Sequence, residues 1–258
     1  MPSKGEKYYF VSSLAKGLRI LEHLAANDEM SAARIAAYLN TSRAASHRFL
    51  STLRDLGYVE KTKEGRYRLT FRVLELGMRK LEGFEIRHIA HPFMEEAAAA
   101  FGETVNLGHW DGKAIVHVDK INSTEILRLD VGLGAVTPAY CTGLGKAVLA
   151  FLPEVELEGY LGAVTLEAMT PRTITEPQTL RAEIERVRKR GYAVDNQELS
   201  LGLRCVGVPI FDYTGRPTYA MSVSAPVSRM SAEKIQAIQT KLRSLCRQIS
   251  RQIGAPAS

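Results

Sequence analysis

The chain lacks long hydrophobic runs. Its 258 residues contain no stretch of about 18 apolar residues free of charge, so the sequence predicts no membrane-spanning helix. The opening segment, MPSKGEKYYF, is too polar for a secretory signal peptide, and we expect a cytoplasmic protein that is not bound to a membrane. Internal repeats and low-complexity segments are also missing, while an apolar content of 45% is enough to build a sizeable core.

Cysteine is scarce, with only Cys141, Cys205 and Cys246 in the chain. Their odd number and wide spacing argue against a disulfide framework and fit a reducing compartment. The HExxH and paired CxxC patterns of zinc sites do not occur, so we expect no bound metal.

Signatures of nucleotide binding are incomplete. The segment GLGKA has too short a spacing for a phosphate-binding loop, and Ala147 stands where that loop needs Ser or Thr. Gly132 and Gly134 form only a fragment of a dinucleotide-binding pattern, because no third glycine follows at the required place. The sequence therefore predicts no cofactor.

Charge is distributed unevenly along the chain. Residues 1–72 carry 13 basic and 7 acidic side chains, whereas residues 73–258 carry 21 of each. A segment of net charge +6 beside a neutral remainder indicates that the first part meets a polyanion and the second has another task. A basic soluble surface without such a partner is the alternative that charge alone leaves open.

The first segment shows helical periodicity from residue 11 to residue 26. Its cap is expected at Ser12 or Ser13, and its buried face at Leu14, Leu18, Leu21 and Leu24. Ser31 then predicts the cap of a short helix that buries Ile35 and Leu39.

A turn at residues 40–41 leads into a third predicted helix, residues 42–57, which Gly57 ends. Residues 58–69 predict a β-hairpin with residues 63–66 at its tip. Two helices joined by a tight turn and followed by a hairpin are typical of a winged helix-turn-helix.

The third helix has two faces at 100° per residue. The apolar face is predicted at Ala45, Phe49, Leu53 and Leu56, and the polar, basic face at Arg43, His47, Ser51 and Arg54. An ordinary solvated helix has the same pattern, but the short helix before it and the basic hairpin after it favour DNA recognition.

The remainder predicts an α+β domain with an antiparallel sheet. Residues 71–86 predict a connecting helix with a hinge at Gly83, and another helix is expected to begin near Pro92 and end at Gly102. Strands follow in the segments TVNLGHW, KAIVHVDKI and EILRLDV, and a second hairpin in RCVGVPIFDYTGRPTYAMSVSAP. Helices are predicted in GLGKAVLAFLP, in PQTLRAEIERVRKR up to Gly191, and from the cap Ser231 to the C-terminal end.

Several segments, in this order and spacing, resemble the IclR family of bacterial transcription regulators. They are SLAKGLRILEHL, SRAASHRFLSTLRDLGYVEK, PAYCTGLGKAVLA, GYAVDNQELSLGLRCVGVPIFD and GRPTYAMSVSAP. The resemblance covers nearly the whole chain, and its most specific part is the combination of CTGLGKAVLA with DNQELSLGLRC.

The resemblance implies a winged helix-turn-helix in residues 1–72, a linker helix in residues 73–85 and a GAF-like effector-binding domain in residues 86–255. It also implies a homodimer or a dimer of dimers that acts as repressor or activator on double-stranded operator DNA near catabolic genes. A small organic acid, aliphatic or aromatic, is the expected effector.

Contacts to DNA are expected from the exposed face of the third helix and from the hairpin tip. Arg43 is the candidate for guanine in the major groove, and Ser46 or His47 for base edges or phosphate. Arg48 suits phosphate, and Lys63 and Arg66 suit the backbone or minor groove. The full predicted set is Ser42, Arg43, Ser46, His47, Arg48, Ser51, Lys63 and Arg66.

The resemblance also implies an effector site at Gly143, Leu144, Asp195, Cys205, Ser222 and Ser224. Free N–H groups at the start of the helix in GLGKAVLA suit a carboxylate, and the serines supply hydroxyls. Leu144 stands where the family often has alanine, which narrows the pocket. Without the resemblance, each of these residues is read as structural, and Trp110 as either a pocket wall or a cover for the sheet edge.

Catalysis is the alternative function. An enzyme acting on a small carboxylate would use Cys205 or Cys141 as nucleophile with His109 or His117 as base. Because no other catalytic pattern occurs, the sequence predicts a regulator and not an enzyme.

Overall fold

A computed structural model of the chain describes residues 10–76, 85–125 and 131–256. These residues belong to two units, Met1–Gly83 and Phe84–Ser258. In the described ranges no helix combines the length and apolar character that crossing a membrane requires. The boundaries at residues 72 and 85 stay predictions.

The first unit is built from short elements around one small core. They are α1 (Ser12–Ala25), α2 (Ala32–Tyr38), α3 (Arg43–Asp55), β1 (Val59–Lys61) and β2 (Tyr67–Leu69). The buried apolar side chains are Ile20, Leu24, Met30, Ile35, Leu39, Leu50, Leu53, Val59 and Tyr67. The order of elements is that of a winged helix-turn-helix.

The start of α1 differs from the prediction. Val11 is the N-cap residue without a side-chain hydrogen bond, so neither Ser12 nor Ser13 caps the helix. Leu14 and Leu18 are 63% and 52% exposed, because the core receives only the C-terminal half of α1.

The turn between α2 and α3 is held by local hydrogen bonds. The hydroxyl of Ser31 accepts the N–H of Arg34, as predicted, and the hydroxyl of Ser42 accepts the N–H of Ala45, a cap that the sequence analysis did not name. Between them Asn40 adopts a left-handed backbone with φ of +47°, which lets the chain reverse within two residues. The turn therefore fixes where α3 begins.

The hairpin has the predicted position. β1 and β2 pair antiparallel, with Val59 opposite Leu69, and Gly65 at the tip has φ of +78°. A further bridge joins Tyr67 to Met30, through N–H···O distances of 2.8 and 2.9 Å. The wing is thus tied to the chain just before α2.

Residues 72–76, after the wing, are helical. The rest of the predicted connecting helix before Glu85, with its hinge at Gly83, lies outside the described residues. The predicted strand EILRLDV also falls mostly outside them, at residues 126–130.

The second unit is an α+β structure with an antiparallel sheet of order β5-β4-β3-β8-β7-β6. The strands are β3 (Thr104–Trp110), β4 (Ala114–Ile121), β5 (Val136–Pro138), β6 (Ala193–Asn196), β7 (Leu203–Ile210) and β8 (Tyr219–Pro226). The helices are α4 (Glu85–Phe101), α5 (Gly143–Leu149), α6 (Glu154–Ala163), α7 (Pro177–Arg190) and α8 (Ala232–Gln252). β5, α6 and β6 were not predicted.

Pro92 does not begin α4, as expected from the sequence, but lies inside it. The buried residues Ile86, Ala90, Met94 and Ala97 form one stripe along both sides of the proline. Continuous burial of this stripe outweighs the hydrogen bond that proline cannot make. The helix ends as predicted before Gly102, which has φ of +70°.

Helix α5 lies directly against β7, backbone to backbone. A Cβ atom on Gly207 would stand 2.2 Å from the carbonyl oxygen of Gly143, and one on Gly145 would stand 2.2 Å from Cα of Ala139. No side chain fits in these gaps, so glycine is required at both positions. This contact brings the start of α5 onto the sheet.

Candidate functional site

The N-terminal half of α3 presents two arginines and a histidine to solvent. Arg43, His47 and Arg48 are exposed, and none of them forms an ion pair with a described residue. In contrast, Arg54 at the other end of the helix lies 3.5 Å from Asp55. The two arginines near the helix start are therefore exposed and have no carboxylate partner among the described residues.

Ser46 does not belong to this face. Its side chain is fully buried, and its hydroxyl donates to the carbonyl of Ala32 at 3.2 Å. The prediction for Ser46 is corrected, because the residue fastens α3 to the start of α2. Ser51 is half-buried, and Ser42 is exposed while its hydroxyl caps the helix.

The two cations of the wing tip are also exposed. Lys63 has no carboxylate partner in the described part of the chain, whereas Arg66 lies 3.5 Å from Glu29. At such exposure an ion pair contributes little, so Arg66 can exchange Glu29 for a phosphate.

In the second unit the sheet register assembles a polar cavity. Asp195 in β6 lies opposite Cys205 in β7, which lies opposite Ser224 in β8. Ser222, two residues before Ser224 in β8, lies opposite Asn106 in β3, and both are on the same face of the sheet as Ser224. The start of α5 covers this face. The residues that line the cavity are Asn106, His117, Val131, Thr142, Gly143, Leu144, Asp195, Leu199, Cys205, Ser222 and Ser224.

All six predicted effector-site residues thus come together. The free volume at their centre is about 20 Å³, which holds about one water molecule. Leu144 is buried and lies beside Gly108, where it occupies much of the space. A ligand larger than water needs this cavity to widen.

Unsatisfied polar atoms converge on the cavity. Oδ2 of Asp195 and Oδ1 of Asn106 have no hydrogen-bond partner among the described residues, although both side chains are almost completely buried. The amide of Asn106 donates to Ser224 Oγ at 3.2 Å, which fixes its orientation. Buried polar atoms without partners are costly, so these two oxygens mark places where a ligand donor fits.

The helix start contributes donors. The hydroxyl of Thr142 accepts the N–H of Gly145 at 3.0 Å, as a helix cap does. The N–H groups of Gly143 and Leu144 precede that capped position and have no backbone acceptor in the described residues. Both residues line the cavity.

Burial changes the protonation of the titratable groups around the cavity. It raises the pKa of Asp195 to about 6. The hydrogen bond from the N–H of Glu198 lowers this pKa, and the negative charge of the Glu198 carboxylate raises it. Burial also lowers the pKa of His117 to about 4, so this imidazole is neutral at pH 7. Its Nε2 lies 3.2 Å from Thr137 Oγ1.

A buried cation supports the loop beneath the cavity, and sequence reasoning missed it. Lys146 in α5 is fully buried, pairs with Glu198 and donates to the carbonyl of Val194 at 2.8 Å. Glu198 in turn donates its N–H to Asp195 Oδ1 at 2.7 Å. A lysine inside the apolar segment GLGKAVLA was the available signal, because such a residue needs a buried partner.

The thiols of Cys141 and Cys205 are not suited to the role of catalytic nucleophile, which the alternative function requires. Burial raises the pKa of Cys141 to about 12 and that of Cys205 well above its ordinary range, so both are neutral. In the described residues no hydrogen bond joins either thiol to a histidine. Groups of three or more potential metal ligands are also not found within the described ranges.

Trp110 does not wall this cavity. Its ring meets that of Tyr160 edge to face at 5.6 Å and lines a separate cavity with residues of α6.

A winged helix-turn-helix followed by a second domain with a polar cavity is typical of a DNA-binding regulator with an effector domain. Residues 13–63 match the IclR helix-turn-helix domain, and residues 78–251 match the bacterial transcriptional regulator IclR C-terminal domain. The chain belongs to the IclR family of transcriptional regulators.

Named relatives agree with this assignment. The chain is 36% identical to the regulator KdgR of Escherichia coli over 245 residues, which cover 95% of this chain and 93% of that protein. It is 32% identical to the acetate operon repressor of Salmonella typhimurium over 230 residues, covering 87% and 84% of the two chains. The crystal structure of Thermotoga maritima IclR is 38% identical and superposes with a TM-score of 0.80 over 94% of this chain and 99% of that one. These relatives are regulators, and so is this protein, rather than an enzyme.

Proposed function

We propose that the protein is a ligand-controlled regulator whose second unit binds a small organic acid in the cavity under α5. The observation that carries the proposal is the convergence of two unpartnered buried oxygens, of Asp195 and Asn106, on the same space as two free N–H groups. An organic acid with a hydroxyl or hydrated carbonyl matches this set. Its carboxylate accepts from the N–H groups and Ser222, and its hydroxyl donates to Asp195.

Asp195 is compatible with an anionic ligand because it is easily protonated. A second negative charge beside it raises its pKa above about 6, so that the carboxyl becomes neutral and does not repel the carboxylate of the ligand. The apolar side chains of Leu144, Val131 and Leu199 complete the lining and suit the body of either an aliphatic or an aromatic acid.

The genes controlled are proposed to serve the catabolism of such an acid. The name of one relative, the acetate operon repressor, refers to an organic acid, and the donor set of the cavity suits the same class of compound.

For the first unit we propose that Arg43 and His47 face base edges in the major groove and that Arg48, Lys63 and Arg66 contact phosphates. The exposure of these side chains and the fixed start of α3 support this assignment. Ser42 and Ser51 remain candidates for phosphate contacts near the same face.

A homodimer, alone or paired into a dimer of dimers, is the proposed form on the operator. Phe10, Val11, Leu14 and Leu18 are each more than half exposed, an apolar surface that a second copy of the chain would bury. Two recognition helices then read two half-sites. The effector binds two arrangements of the dimer with different affinities, and this difference, typically 1–3 kcal/mol, is the amount by which it changes operator affinity.

The test combines thermal shift with a gel shift. Purified protein is screened against aliphatic and aromatic acids, and each hit is repeated with Ser222→Ala and Asp195→Ala. The hit should raise Tm of the wild type, lose most of this effect in both variants, and change the affinity for the DNA upstream of the gene. Hits that stabilise the variants as strongly as the wild type would place the effector elsewhere, and equal binding to random DNA at matched salt would contradict an operator.

A further inference from the structure

A second, larger cavity lies in the same unit, where the ends of β7 and α7 meet α8. Its volume is about 510 Å³, far more than that of the cavity under α5, and the two share no lining residue. The lining comprises Phe151, Arg188, Lys189, Gly191, Val208, Pro209, Phe211, Gly215, Arg243, Cys246, Arg247, Ser250, Arg251, Ala255 and Pro256. A volume of this size accommodates a small organic molecule.

The lining is strongly cationic. It contains four arginines and one lysine and not a single carboxylate. Three of the arginines, Arg243, Arg247 and Arg251, are spaced by four residues along α8 and therefore lie on one side of that helix. Residues 73–258 carry no net charge, yet five positive side chains of the second unit gather around this cavity.

The arginines of α8 are also unpaired. None of the three forms an ion pair with a residue that the structure describes, whereas Lys234 and Lys241 of the same helix pair with Glu103 and Glu96. Like charges spaced by four residues destabilise a helix. Arg251 lies in the last turn, where the helix dipole favours a cation, but this explanation does not apply to Arg243 and Arg247.

Cations on α7 complete the rim. Arg188 and Lys189 lie in the last turn of α7, and the guanidinium of Arg188 donates to the carbonyl of Ala150 at 2.5 Å. The side chain of Arg243 passes within 3.5 Å of the Cβ position of Gly191, at the end of α7. Arg188 also lies 3.9 Å from the carboxylate of Glu154, so the cavity's cations without a carboxylate partner among the described residues are Lys189 and the three arginines of α8.

The rest of the cavity lining is largely apolar. It includes Val208, Pro209, Phe151 and Phe211, and the two phenylalanine rings meet edge to face at 5.3 Å. A lining that combines apolar side chains with several cations suits a molecule with a hydrophobic body and more than one anionic group.

We propose that this basic cavity is a second small-molecule site, which binds an organic polyanion whose carboxylate or phosphate groups are carried on an apolar body. Arg243 and Arg247 are its principal ligands. The site is independent of the effector cavity, so the protein is able to respond to two compounds.

Calorimetric titration of the full chain with benzene-1,3,5-tricarboxylate tests the proposal, at about 0.15 M ionic strength so that distant charges are screened. Arg243→Gln and Arg247→Gln should each weaken binding about 10-fold or more. The matched control is Arg186→Gln, because Arg186 is exposed on α7 outside the cavity, and it should stay within about twofold of the wild type. Benzoate and inorganic phosphate should bind at least about 10-fold more weakly than the tricarboxylate, since each lacks one half of the required chemistry.

A second readout separates loss of the site from loss of the fold. Removal of Arg247 relieves repulsion with Arg243 and Arg251, so without ligand Arg247→Gln should melt at or above the temperature of the wild type. Ser222→Ala should bind the tricarboxylate normally. Failure of the wild type to bind any of the three probes would overturn the proposal, as would equal weakening by Arg186→Gln or loss of binding in Ser222→Ala. Phosphate or benzoate binding as tight as that of the tricarboxylate would overturn it too.

Discussion

Lys146 and Glu198 form an ion pair inside the core of the second unit, with side chains only 1% and 8% exposed. The first prediction follows from this burial. Lys146→Met should lower the free energy of unfolding by about 3–5 kcal/mol, because it leaves the Glu198 carboxylate buried without its cation. Urea denaturation followed by the fluorescence of Trp110, the only tryptophan, measures the change within this unit. Lys146→Met/Glu198→Gln should recover much of the loss, and an unaltered midpoint in the single variant would contradict the pairing.

The contact between α5 and β7 predicts a steric effect. Gly207→Ala places a methyl group where the carbonyl oxygen of Gly143 lies, so we expect a destabilisation of about 1–3 kcal/mol or more and weaker effector binding. Gly159→Ala in α6 is the control, since its Cβ would meet nothing within 4 Å. It should stabilise the chain by about 0.5–1 kcal/mol. If the two substitutions had equal effects on Tm, the close approach would not be a constraint.

The raised pKa of Asp195 predicts how stability depends on pH. The folded chain keeps a proton on this carboxyl up to about pH 6, while the unfolded chain loses it near the ordinary value of 3.8. The native state thus binds more protons between about pH 4 and 6, and this contribution to stability is complete below that window and lost as pH rises through it. Urea titrations at several pH values should show a smaller fall across this window for Asp195→Asn than for the wild type.

Effector affinity should depend on pH for the same reason. If an acid binds beside Asp195 with uptake of a proton, its Kd should rise above about pH 6, by up to about tenfold per pH unit. The other titratable groups near Asp195 are Glu198, Lys146, Cys141, Cys205 and His117. The two thiols and the imidazole stay neutral between pH 6 and 8. Calorimetric titration in buffers of different ionisation enthalpy measures how many protons are taken up when the acid binds. Asp195→Asn should abolish the uptake, and a wild type that takes up none would contradict this mechanism.

The loss of operator affinity on removing an arginine from α3 should depend on where that arginine lies along the helix. Arg43→Ala is expected to cost about 1–3 kcal/mol of operator affinity if the guanidinium binds a guanine, and to leave effector binding intact. Arg54→Ala removes the same charge from the far end of the helix, where Asp55 already pairs with it, and should cost much less. Gel shifts with operator and random DNA at equal salt compare them. Equal losses would show that only net charge matters and that α3 does not read the sequence.

The winged helix was predictable because its signals are local. Ser31 and Ser42 lie next to the helices they cap, and Gly65 lies in the turn it permits. The burial of Ser46 was missed because the buried stripe of α3 is Ser46, Leu50 and Leu53, whereas Leu56 of the predicted apolar face is 54% exposed. The hydroxyl of Ser46 is satisfied by a carbonyl from another helix. Likewise Leu14 and Leu18 have the right period for burial, but the core ends before it reaches them.

The second unit depended more on contacts distant in sequence. The segment of α6 contains two glycines and exposes Val155, so it lacks the apolar stripe that predicts an amphipathic helix. Lysine is rarely buried, and the partner of Lys146 lies 52 residues away. The family resemblance supplied the six cavity residues. Asn106 and Glu198 became visible only in the structure, and His117 had been named from the sequence only as a possible catalytic base.

The cavity under α5 is assembled from β3, β4, β6, β7, β8 and the start of α5, so it exists only while the whole unit is folded. A ligand that binds there and not to the unfolded chain adds its binding free energy to stability, about 2.7 kcal/mol at a concentration 100 times its Kd. Opening of the unit for proteases then becomes about 100 times rarer. The compound that controls the regulator would in this way also lengthen its lifetime, and the amount of regulator present would follow the supply of its ligand.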